Sequence, residues 1–496
     1  MKIRPHITLL FLLSVYTVLL LISFLFDIFL PEDKDEFSVL GISLAFPKPE
    51  NIFSTPEKYA DISSILAENK SLSADSLSID TIALAEEIPV FDTIRADENK
   101  LRKVLRAIEY PDGKRDMLFS VFKAMDSAKS KGKVVRIMHY GDSQIEGDRM
   151  TSFYRNKLQN QFGGKGVGLI PARQLYDFRY SLFQDASSNW NRYTLYGNRD
   201  TLIQHNRYGI LASFCSFTPQ PLTDTDNSSD KTAWIDIKPS PYSYQNTKYF
   251  DQCRVFYSNN SADFEASLYV NDTIVDSGIY AKSKGLKQIK WTFSQPVGNI
   301  KLEFEAPVSP EIYGIALDGN SGVAVDNIAM RGCAGLVFTK MDSVLFRQLI
   351  NDLDVKLMIL QFGGNIVPNI RKNYGFYERW FFSQLNYIKT NAPEVEIIVI
   401  GVADMSMKKN DRYVSYPNIE LVRNAMKKAS FRAGAAYWDM FEAMGGRNSM
   451  PSWVFAQPSL AGKDFVHFNP RGAKIVANMF YNAFMSEYDR YKRLSK

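Results

Sequence analysis

The sequence predicts an α/β domain with a parallel sheet, interrupted by a domain of β-strands and preceded by a membrane-spanning helix. Strand-like and helical segments alternate in residues 115–184 and again in residues 312–496, an order typical of parallel α/β sheets. Between them, residues 185–311 contain short β-type runs with hardly any helical period, which indicates an inserted β-sandwich. Residues 7–26 are uncharged and mostly apolar, as in a membrane span.

Composition limits the classes of protein to which the chain belongs. Its 496 residues are enough for two or three domains. A content of 45% hydrophobic and 13% aromatic residues excludes wholesale disorder. The net charge is only +5, and the Lys and Arg residues are scattered, so we do not expect nucleic acid as a partner.

The cysteine and histidine content argues against a metal site. The three cysteines have no CxxC spacing. Cys215 and Cys253 fall in one predicted domain, where a disulfide is one interpretation and two buried thiols are the favoured one. No cluster of His, Cys and carboxylate residues has metal-ligand spacing, so the sequence predicts neither a metal nor another cofactor.

Residues 1–30 are interpreted as a cytoplasmic tip and a transmembrane anchor. About twenty helical residues, at roughly 1.5 Å each, cross the roughly 30 Å hydrocarbon core of a bilayer. Lys2 and Arg4 precede the apolar run and acidic residues follow it, which predicts that the rest of the chain lies outside a bacterial inner membrane, in the periplasm. A cleaved signal peptide is the alternative. Its apolar region is usually shorter and ends at small residues, whereas this run ends in Phe-Asp-Ile-Phe-Leu-Pro.

Residues 31–114 are interpreted as a linker between the membrane and the globular part. Residues 61–88 are rich in Ser, Asp and Glu. A flexible chain of about eighty residues, the length of the whole segment, has an end-to-end distance of order 50 Å. The alternative is a set of short helices packed on the main domain. The apolar residues of the segment support it: Ile62, Ile65, Leu66, Leu72, Leu77 and Ile79.

The α/β segments follow from their periodicity. Apolar residues at helical spacing predict a helix near 117–125, ended by Gly132, and residues 134–140 read as a short strand that a second helix follows. After the insertion, the strands VKLMILQF, VEIIVIG and AAYWDM are separated by helical segments near 341–352, 375–390 and 417–433, and a helix near 470–490 ends the chain.

The predicted β insertion is rich in aromatic residues. A sugar-stacking platform is one interpretation of them, and core packing is the favoured one. The residues concerned are Trp190, Tyr193, Trp234, Tyr242, Tyr244 and Trp291.

A serine follows the first predicted strand, in Gly141-Asp142-Ser143-Gln144. The carboxyl end of a parallel strand is where open α/β sheets bind their ligands, and the N-terminus of the next helix favours developing negative charge. Taken alone, the motif is better explained as a plain turn in which Asp or Ser caps a helix. Asp148 and Arg149 are expected at the surface or in such a cap.

A second group of candidate catalytic residues is Asp464-Phe-Val-His467, near the C-terminus. A nucleophilic serine needs a base, and that base needs an acceptor on its other ring nitrogen. A carboxylate three residues before a histidine provides one within a single short loop. His139, which lies on the first strand, is interpreted as structural.

Two further turns follow strands. Asn365 comes after VKLMILQF, where its amide is placed to donate to an oxyanion, and Gly332 comes after GVAVDNIAM, where its backbone N–H is free to approach the same oxygen. Either residue alone is also explained as part of an ordinary turn.

In this order, the serine, the glycine, the asparagine and the Asp-x-x-His pair resemble the sequence blocks of the SGNH hydrolase superfamily. The resemblance covers about residues 133–171 and 313–485. It implies a flavodoxin-like three-layer sandwich, with Ser143 as nucleophile, His467 as base and Asp464 as its orienting partner. It further implies an oxyanion hole formed by the N–H groups of Ser143 and Gly332 and by the amide of Asn365. The chain departs from the pattern at Ile366, where the superfamily usually has an acidic residue, which affects the support of that loop.

Residues 141–171, the β insertion and YWDMFEAMGG are similar to bacterial extracytoplasmic members of this superfamily, among them peptidoglycan O-acetylesterases with a carbohydrate-module-like insertion. The similarity implies a carbohydrate O-acetylesterase that acts on an acetylated cell-envelope polysaccharide such as peptidoglycan, through an acetyl-serine intermediate. Two alternatives stay open. One is an O-acetyltransferase that works with a membrane-bound O-acyltransferase, and the other is a non-catalytic glycan-binding protein, against which the intact set of Ser143, Asp464 and His467 argues.

Overall fold

The structure of the chain, a computed structural model, describes residues 5–29, 36–39, 42–45, 58–69, 104–176, 180–220 and 231–495. The chain divides into two compact units, Met1–Lys58 and Tyr59–Lys496. The elements of the first unit are α1 (Pro5–Phe29) and the antiparallel pair β1 (Glu36–Val39) and β2 (Ile42–Ala45).

The side chains of α1 are described for residues 6–22, and many of the apolar ones, including Leu10 and Phe11, are exposed. No helix within the described ranges is both long enough and apolar enough to cross a membrane. The anchor therefore stays a prediction.

The second unit alternates strands and helices in its first and last parts and consists mainly of strands in between. The elements up to the end of the strand-rich part are α2 (Ser63–Glu68), α3 (Phe119–Ala128), β3 (Val134–Gly141), α4 (Thr151–Phe162), β4 (Gly168–Ile170), β5 (Leu182–Ala186), β6 (Asn191–Thr194), β7 (Ser213–Ser216), β8 (Lys231–Pro239), α5 (Gln245–Lys248), β9 (Phe250–Ser258), β10 (Phe264–Val270), β11 (Thr273–Tyr280), β12 (Lys287–Val297), β13 (Ile300–Ala306) and β14 (Glu311–Asp318). The remaining elements are β15 (Gly322–Ala329), α6 (Ser343–Asp352), β16 (Val355–Gln361), α7 (Gly375–Asn391), β17 (Glu396–Ile400), β18 (Ser406–Lys409), β19 (Arg412–Ser415), α8 (Ile419–Arg432), β20 (Ala436–Trp438), α9 (Met440–Ala443), α10 (Ser449–Phe455) and α11 (Pro470–Leu494).

A five-stranded parallel sheet of order β15-β3-β16-β17-β20 forms the centre of the α/β part. Successive side chains of a strand point to opposite faces, and in β3 Met138 and Tyr140 join one buried cluster while Val135 and Ile137 join another. Helices α6, α7 and α8 cover the first face, and α3, α4 and α11 cover the second. The predicted α/β fold with a parallel sheet is confirmed.

Two antiparallel sheets make up the strand-rich part. Their orders are β11-β10-β13-β8-β5 and β12-β9-β14-β7-β6, and they share one apolar core. Because β4 also pairs with β14, these sheets run from residue 168 to residue 318 and exceed the predicted 185–311 at both ends. The boundaries of a separate inserted domain stay a prediction.

Three of the six aromatic residues singled out in this part are buried, and two of them, Trp190 and Trp291, belong to the core that the antiparallel sheets share. Trp190, Trp291 and Tyr193 are buried, whereas Tyr242 is half exposed. The indole N–H of Trp190 donates to the carbonyl of Trp234 at 3.1 Å, as expected of an indole that is fully withdrawn from water.

The strand-rich part and the α/β part share buried contacts. One apolar cluster contains Phe214 and Phe256 from the antiparallel sheets together with Met138 from the parallel sheet. Within the same interface, the fully buried guanidinium of Arg136 on β3 pairs with both Asp318 at the end of β14 and Asp326 on β15. The two parts are therefore joined by shared core as well as by chain connections.

The predicted linker, residues 31–114, is wrong in two places. Ile62 and Ile65 are buried in the core beside α11, and Glu109 and Tyr437 exchange backbone hydrogen bonds at 2.8 Å. Apolar side chains removed from water favour a packed segment over a flexible one, so the alternative of short packed segments applies there. Residues 70–103 lie outside the described residues.

Substitution of Arg136 tests the buried ion cluster. In Arg136→Met, Asp326 loses its ion-pair partner and Asp318 keeps only Arg254, 3.4 Å away. Loss of one partner of a buried pair typically costs about 3–5 kcal/mol of the free energy of unfolding. Burial raises the pKa of Asp326 from 3.8 to about 6, even though Arg136 opposes the shift. The stability associated with this carboxyl is therefore present below pH 3.8 and lost as the pH rises through about 6. We expect the loss in Arg136→Met to be larger at pH 8 than at pH 5, as measured by urea unfolding.

The matched control is Arg347→Met on α6, because Arg347 is exposed and its guanidinium donates to the side chain of Asn391 and not to a buried carboxylate. A surface change of this kind usually alters stability by less than about 0.5 kcal/mol. Adding Asp318→Asn and Asp326→Asn to Arg136→Met is expected to recover part of the loss. An equal effect of both single variants, or one independent of pH, contradicts the assignment.

Candidate active site

Three strands of the parallel sheet end at the same level. In the β15-β3-β16 register, Gly141 of β3 lies opposite Ala329 of β15 and Gln361 of β16. The loops that follow these strands therefore begin at one edge of the sheet, and each of them carries one of the predicted site residues.

The turn after β3 presents Ser143 at that edge. A Cβ on Gly141 would lie 2.9 Å from the carbonyl oxygen of Gln361, so only glycine fits between the strands at this point. The carboxylate of Asp142 accepts a hydrogen bond from the backbone N–H of Gln144 at 3.0 Å and caps the short 3₁₀ helix that begins at Ser143. The close packing of Gly141 before the serine and the hydrogen bond to Gln144 after it thus fix the backbone at Ser143.

Ser143, His467 and Asp464 form one hydrogen-bonded chain. The Oγ of Ser143 lies 2.8 Å from Nε2 of His467, and Nδ1 of His467 lies 2.7 Å from Oδ2 of Asp464. The other oxygen of Asp464 accepts from the backbone N–H groups of Val466 and His467. Partial burial by itself would raise the pKa of Asp464, but these hydrogen bonds outweigh it and lower the pKa. The carboxylate is thereby held ionised against the imidazole.

Two contacts that the sequence does not reveal join the serine turn to the histidine loop. The amide of Gln144 donates to the carbonyl of Val466 at 2.6 Å, and the guanidinium of Arg149 donates to the carbonyl of Phe468 at 3.2 Å. These acceptors are the two neighbours of His467 in the chain. Arg149 is half-buried and is the C-cap of the short 3₁₀ helix, so the predicted capping position is confirmed. Its contact with the histidine loop was not predicted, and the only local signal for it is that both donors closely follow the serine.

Asn365 and Gly332 also lie at this edge. The amide of Asn365 donates to Oδ2 of Asp142 and to the carbonyl of Cys333, each at 3.2 Å. Gly332, next to Cys333, is exposed and has a φ of +74°, a conformation that glycine adopts without strain. Burial raises the pKa of Asp142 to about 6, although the hydrogen bonds it accepts oppose the shift. Asp142 thus orients the amide of Asn365 beside the serine turn.

His139 lies apart from this chain of contacts. Its ring is fully buried, with Nδ1 2.9 Å from the hydroxyl of Thr151 and Nε2 3.1 Å from the amide oxygen of Gln361. Burial lowers its pKa to about 3, so the ring is neutral at physiological pH. His139 lies on β3 itself, the strand that leads to Ser143, and its ring links that strand to Thr151 of α4 and Gln361 of β16 within the core.

The three cysteines are buried and unpaired. Burial raises the pKa of each thiol, so none is activated as a thiolate. Within the described part of the chain, no three His, Cys, Asp or Glu side chains are grouped as metal ligands.

This geometry permits acyl transfer. A serine hydroxyl that is hydrogen-bonded to an imidazole can lose its proton to that ring while it attacks a carbonyl, provided that a carboxylate orients the ring and stabilises its charged form.

No family model and no curated protein matches the chain, but solved structures do. A peptidoglycan O-acetylesterase matches with a TM-score of 0.58 and 19% identity, over 75% of this chain and 96% of its own. The chain has the fold of the SGNH hydrolases.

Other solved structures with an SGNH hydrolase fold match less well. A family two carbohydrate esterase from Clostridium thermocellum has a TM-score of 0.22 and 9% identity over 51% of this chain and 91% of its own. A GDSL-like lipase from Bacteroides ovatus ATCC 8483 has a TM-score of 0.23 and 8% identity over 60% of this chain and 96% of its own. The fold therefore rests on the peptidoglycan O-acetylesterase alone. At 19% identity that likeness establishes no more than the fold, and the chemistry has to be argued from the site.

Substitutions of the serine and of the two histidines test the site. Ser143→Ala and His467→Ala each remove one member of the hydrogen-bonded chain and should lower turnover of p-nitrophenyl acetate at least ~10³-fold. His139→Gln keeps a polar side chain in the core and should retain much more activity, because His139 has no contact with Ser143. Circular dichroism and thermal unfolding establish that each variant is folded. Near-normal turnover by a folded Ser143→Ala protein, or a greater loss in His139→Gln than in His467→Ala, contradicts these roles.

Proposed function

We propose that this chain is a serine-dependent carbohydrate O-acetylesterase acting on a cell-envelope glycan such as peptidoglycan. The observation that carries the proposal is the hydrogen-bonded chain of Ser143, His467 and Asp464 at the carboxyl edge of the parallel sheet. An unused scaffold has no requirement for this arrangement, which argues against the alternative of a non-catalytic glycan-binding protein.

The reaction has two steps. Ser143 attacks the acetyl carbonyl while His467 takes its proton. The N–H groups of Ser143 and Gly332 stabilise the oxyanion, and the amide of Asn365 joins them by turning one N–H from its present acceptor, Asp142 or the carbonyl of Cys333, to the oxyanion. One such donor is typically worth ~3–4 kcal/mol. His467 then returns the proton to the sugar oxygen as it leaves. In the second step His467 activates water, which releases acetate from the acetyl-serine.

Exposure of the base favours hydrolysis over transfer. The side chains of His467 and Asp464 are 34% and 50% exposed, so water reaches the position from which it attacks the acyl-enzyme. An O-acetyltransferase would share the first step and would have to protect its acyl-serine from this water.

Glycan as the substrate is supported by the fold shared with a peptidoglycan O-acetylesterase. A location outside the inner membrane is supported by the apolar run of residues 7–26, by the positive charges before it and by the exposed apolar side chains of α1. We therefore propose a membrane-anchored enzyme with its site on the periplasmic side.

Acetate release from an O-acetylated glycan tests the activity. Incubation of the full chain with O-acetylated peptidoglycan should release acetate at a rate far above that of Ser143→Ala, because only the intact serine forms the acyl-enzyme. Added deacetylated glycan, as acceptor, should gain less acetyl than appears as free acetate. Transfer in excess of release would identify a transferase, and hydrolysis of p-nitrophenyl acetate without any action on glycans would exclude a carbohydrate substrate.

Removal of residues 1–30 tests the anchor. The full chain should stay with the membrane pellet after alkaline carbonate extraction, whereas the shortened chain should not, because the apolar run supplies the attachment. Full-length protein that carbonate releases as readily as the shortened form would contradict the anchor.

A further inference from the structure

A pocket of about 320 Å³ lies beside the proposed catalytic residues. Its walls come from the same loops: Glu146 and Arg149 belong to the turn after Ser143, Arg331 precedes Gly332, and Phe468 follows His467. Tyr176 and Tyr180 complete the aromatic side of the pocket. A substrate whose ester reaches the serine therefore has its neighbouring groups at this pocket.

One of the two arginines that line the pocket is neutralised. Nε of Arg331 donates to one carboxylate oxygen of Glu146 at 2.9 Å, and its Nη2 donates to the other. The guanidinium of Arg331 also lies over the ring of Tyr176, 3.9 Å from its centroid. Arg331 and Glu146 thus compensate each other's charge and hold Tyr176 in place.

The other arginine, Arg149, donates hydrogen bonds to backbone carbonyls. Nε of Arg149 donates to the carbonyl of Glu146 at 2.8 Å, and Nη1 donates to the carbonyl of Phe468. Among the ion pairs of the described residues, none links Arg149 to a carboxylate. Among the described residues that line the pocket, Arg149 and Arg331 are positive and Glu146 is negative, so their charges sum to +1.

Half-buried cations are normally paired, since charge withdrawn from water is costly. Burial lowers the pKa of Arg149 even though Glu146, Tyr180 and Asp464 oppose the shift, as expected of a guanidinium whose protein partners do not compensate its desolvation. The missing counter-charge is available from a ligand.

We infer that this pocket binds a carboxylate of the substrate, and that the preferred glycan carries its acetyl ester on or next to a carboxylate-bearing sugar. The inference rests on the proposed function and adds the substrate class. The planar guanidinium of Arg149 suits a carboxylate better than any neutral sugar hydroxyl, while Tyr176 and Tyr180 offer ring faces for the sugar.

The test measures inhibition of p-nitrophenyl acetate hydrolysis by N-acetylmuramic acid, by its methyl ester and by N-acetylglucosamine. The acid and its methyl ester have almost the same bulk and differ in charge. We expect competitive inhibition by the acid, with an inhibition constant about 10- to 100-fold lower than that of the methyl ester, the range typical of a hydrogen-bonded charged group. N-acetylglucosamine should bind as weakly as the methyl ester.

Variants assign the effect to Arg149. Arg149→Met should raise the inhibition constant of the acid to that of the methyl ester, and Arg149→Lys should restore part of the difference. Each constant is measured on the variant's own remaining activity, so a change in turnover through the contact with Phe468 does not affect the comparison. Arg347→Met, with its exposed guanidinium, serves as the matched control and should leave the constants of all three sugars as they are.

The two possible failures are distinguishable. If the ester is hydrolysed but acid and methyl ester bind equally, or if Arg149→Met leaves the difference intact, the carboxylate pocket is overturned and the proposed esterase stands. If no ester or acetylated glycan is hydrolysed, the proposed function fails. Isothermal titration calorimetry with N-acetylmuramic acid still tests the pocket in that case, and absence of charge-dependent binding overturns it.

Discussion

The candidate site depends on the register of three parallel strands. Gly141, Ala329 and Gln361 lie side by side, so the loops carrying the serine, the glycine and the asparagine start from a common edge. A slip of one residue in any pair would move a loop by about 3.3 Å and turn its side chains to the other face. That register is secured by the two apolar clusters that cover the sheet and by the buried contacts of His139 with Gln361 and Thr151.

The base reaches this edge by a different route. His467 lies on a loop before α11, and its position depends on contacts of its neighbours: Val466 and Phe468 are bound by side chains of the serine turn. On the other side, the ring of Phe465 stacks on Tyr413 with 3.5 Å between ring centroids. The serine turn therefore carries the nucleophile and also positions the base. The distance between Ser143 and His467 thus depends on this one short segment.

The strand-rich part is packed against the parallel sheet that positions the site, and the two parts share buried contacts. Arg136 of β3 is neutralised by Asp318 at the end of β14, and β14 leads directly into β15. Loss of the antiparallel sheets would leave this cation with Asp326 as its remaining ion-pair partner and would uncover the apolar residues, such as Met138, that share a cluster with Phe214. We therefore expect the strand-rich part to stabilise the α/β part, independently of any role in glycan binding.

The sequence by itself determined the elements and the residues with catalytic chemistry. Periodicity of 2 and 3.6 residues is a local property of the chain, so the alternation of strands and helices, the strand-rich middle and the positions of Ser143, Asn365 and His467 after strands or before a helix could be predicted. Only the tertiary structure decided the rest. Whether residues such as Ile62 pack on the fold, how far the antiparallel sheets extend, and which partner Gln144 finds depend on contacts between segments hundreds of residues apart. The lack of an ion pair between Arg149 and any described carboxylate has the same origin, because the pairing of a charge in the fold is set by which loops meet and not by its neighbours in the chain.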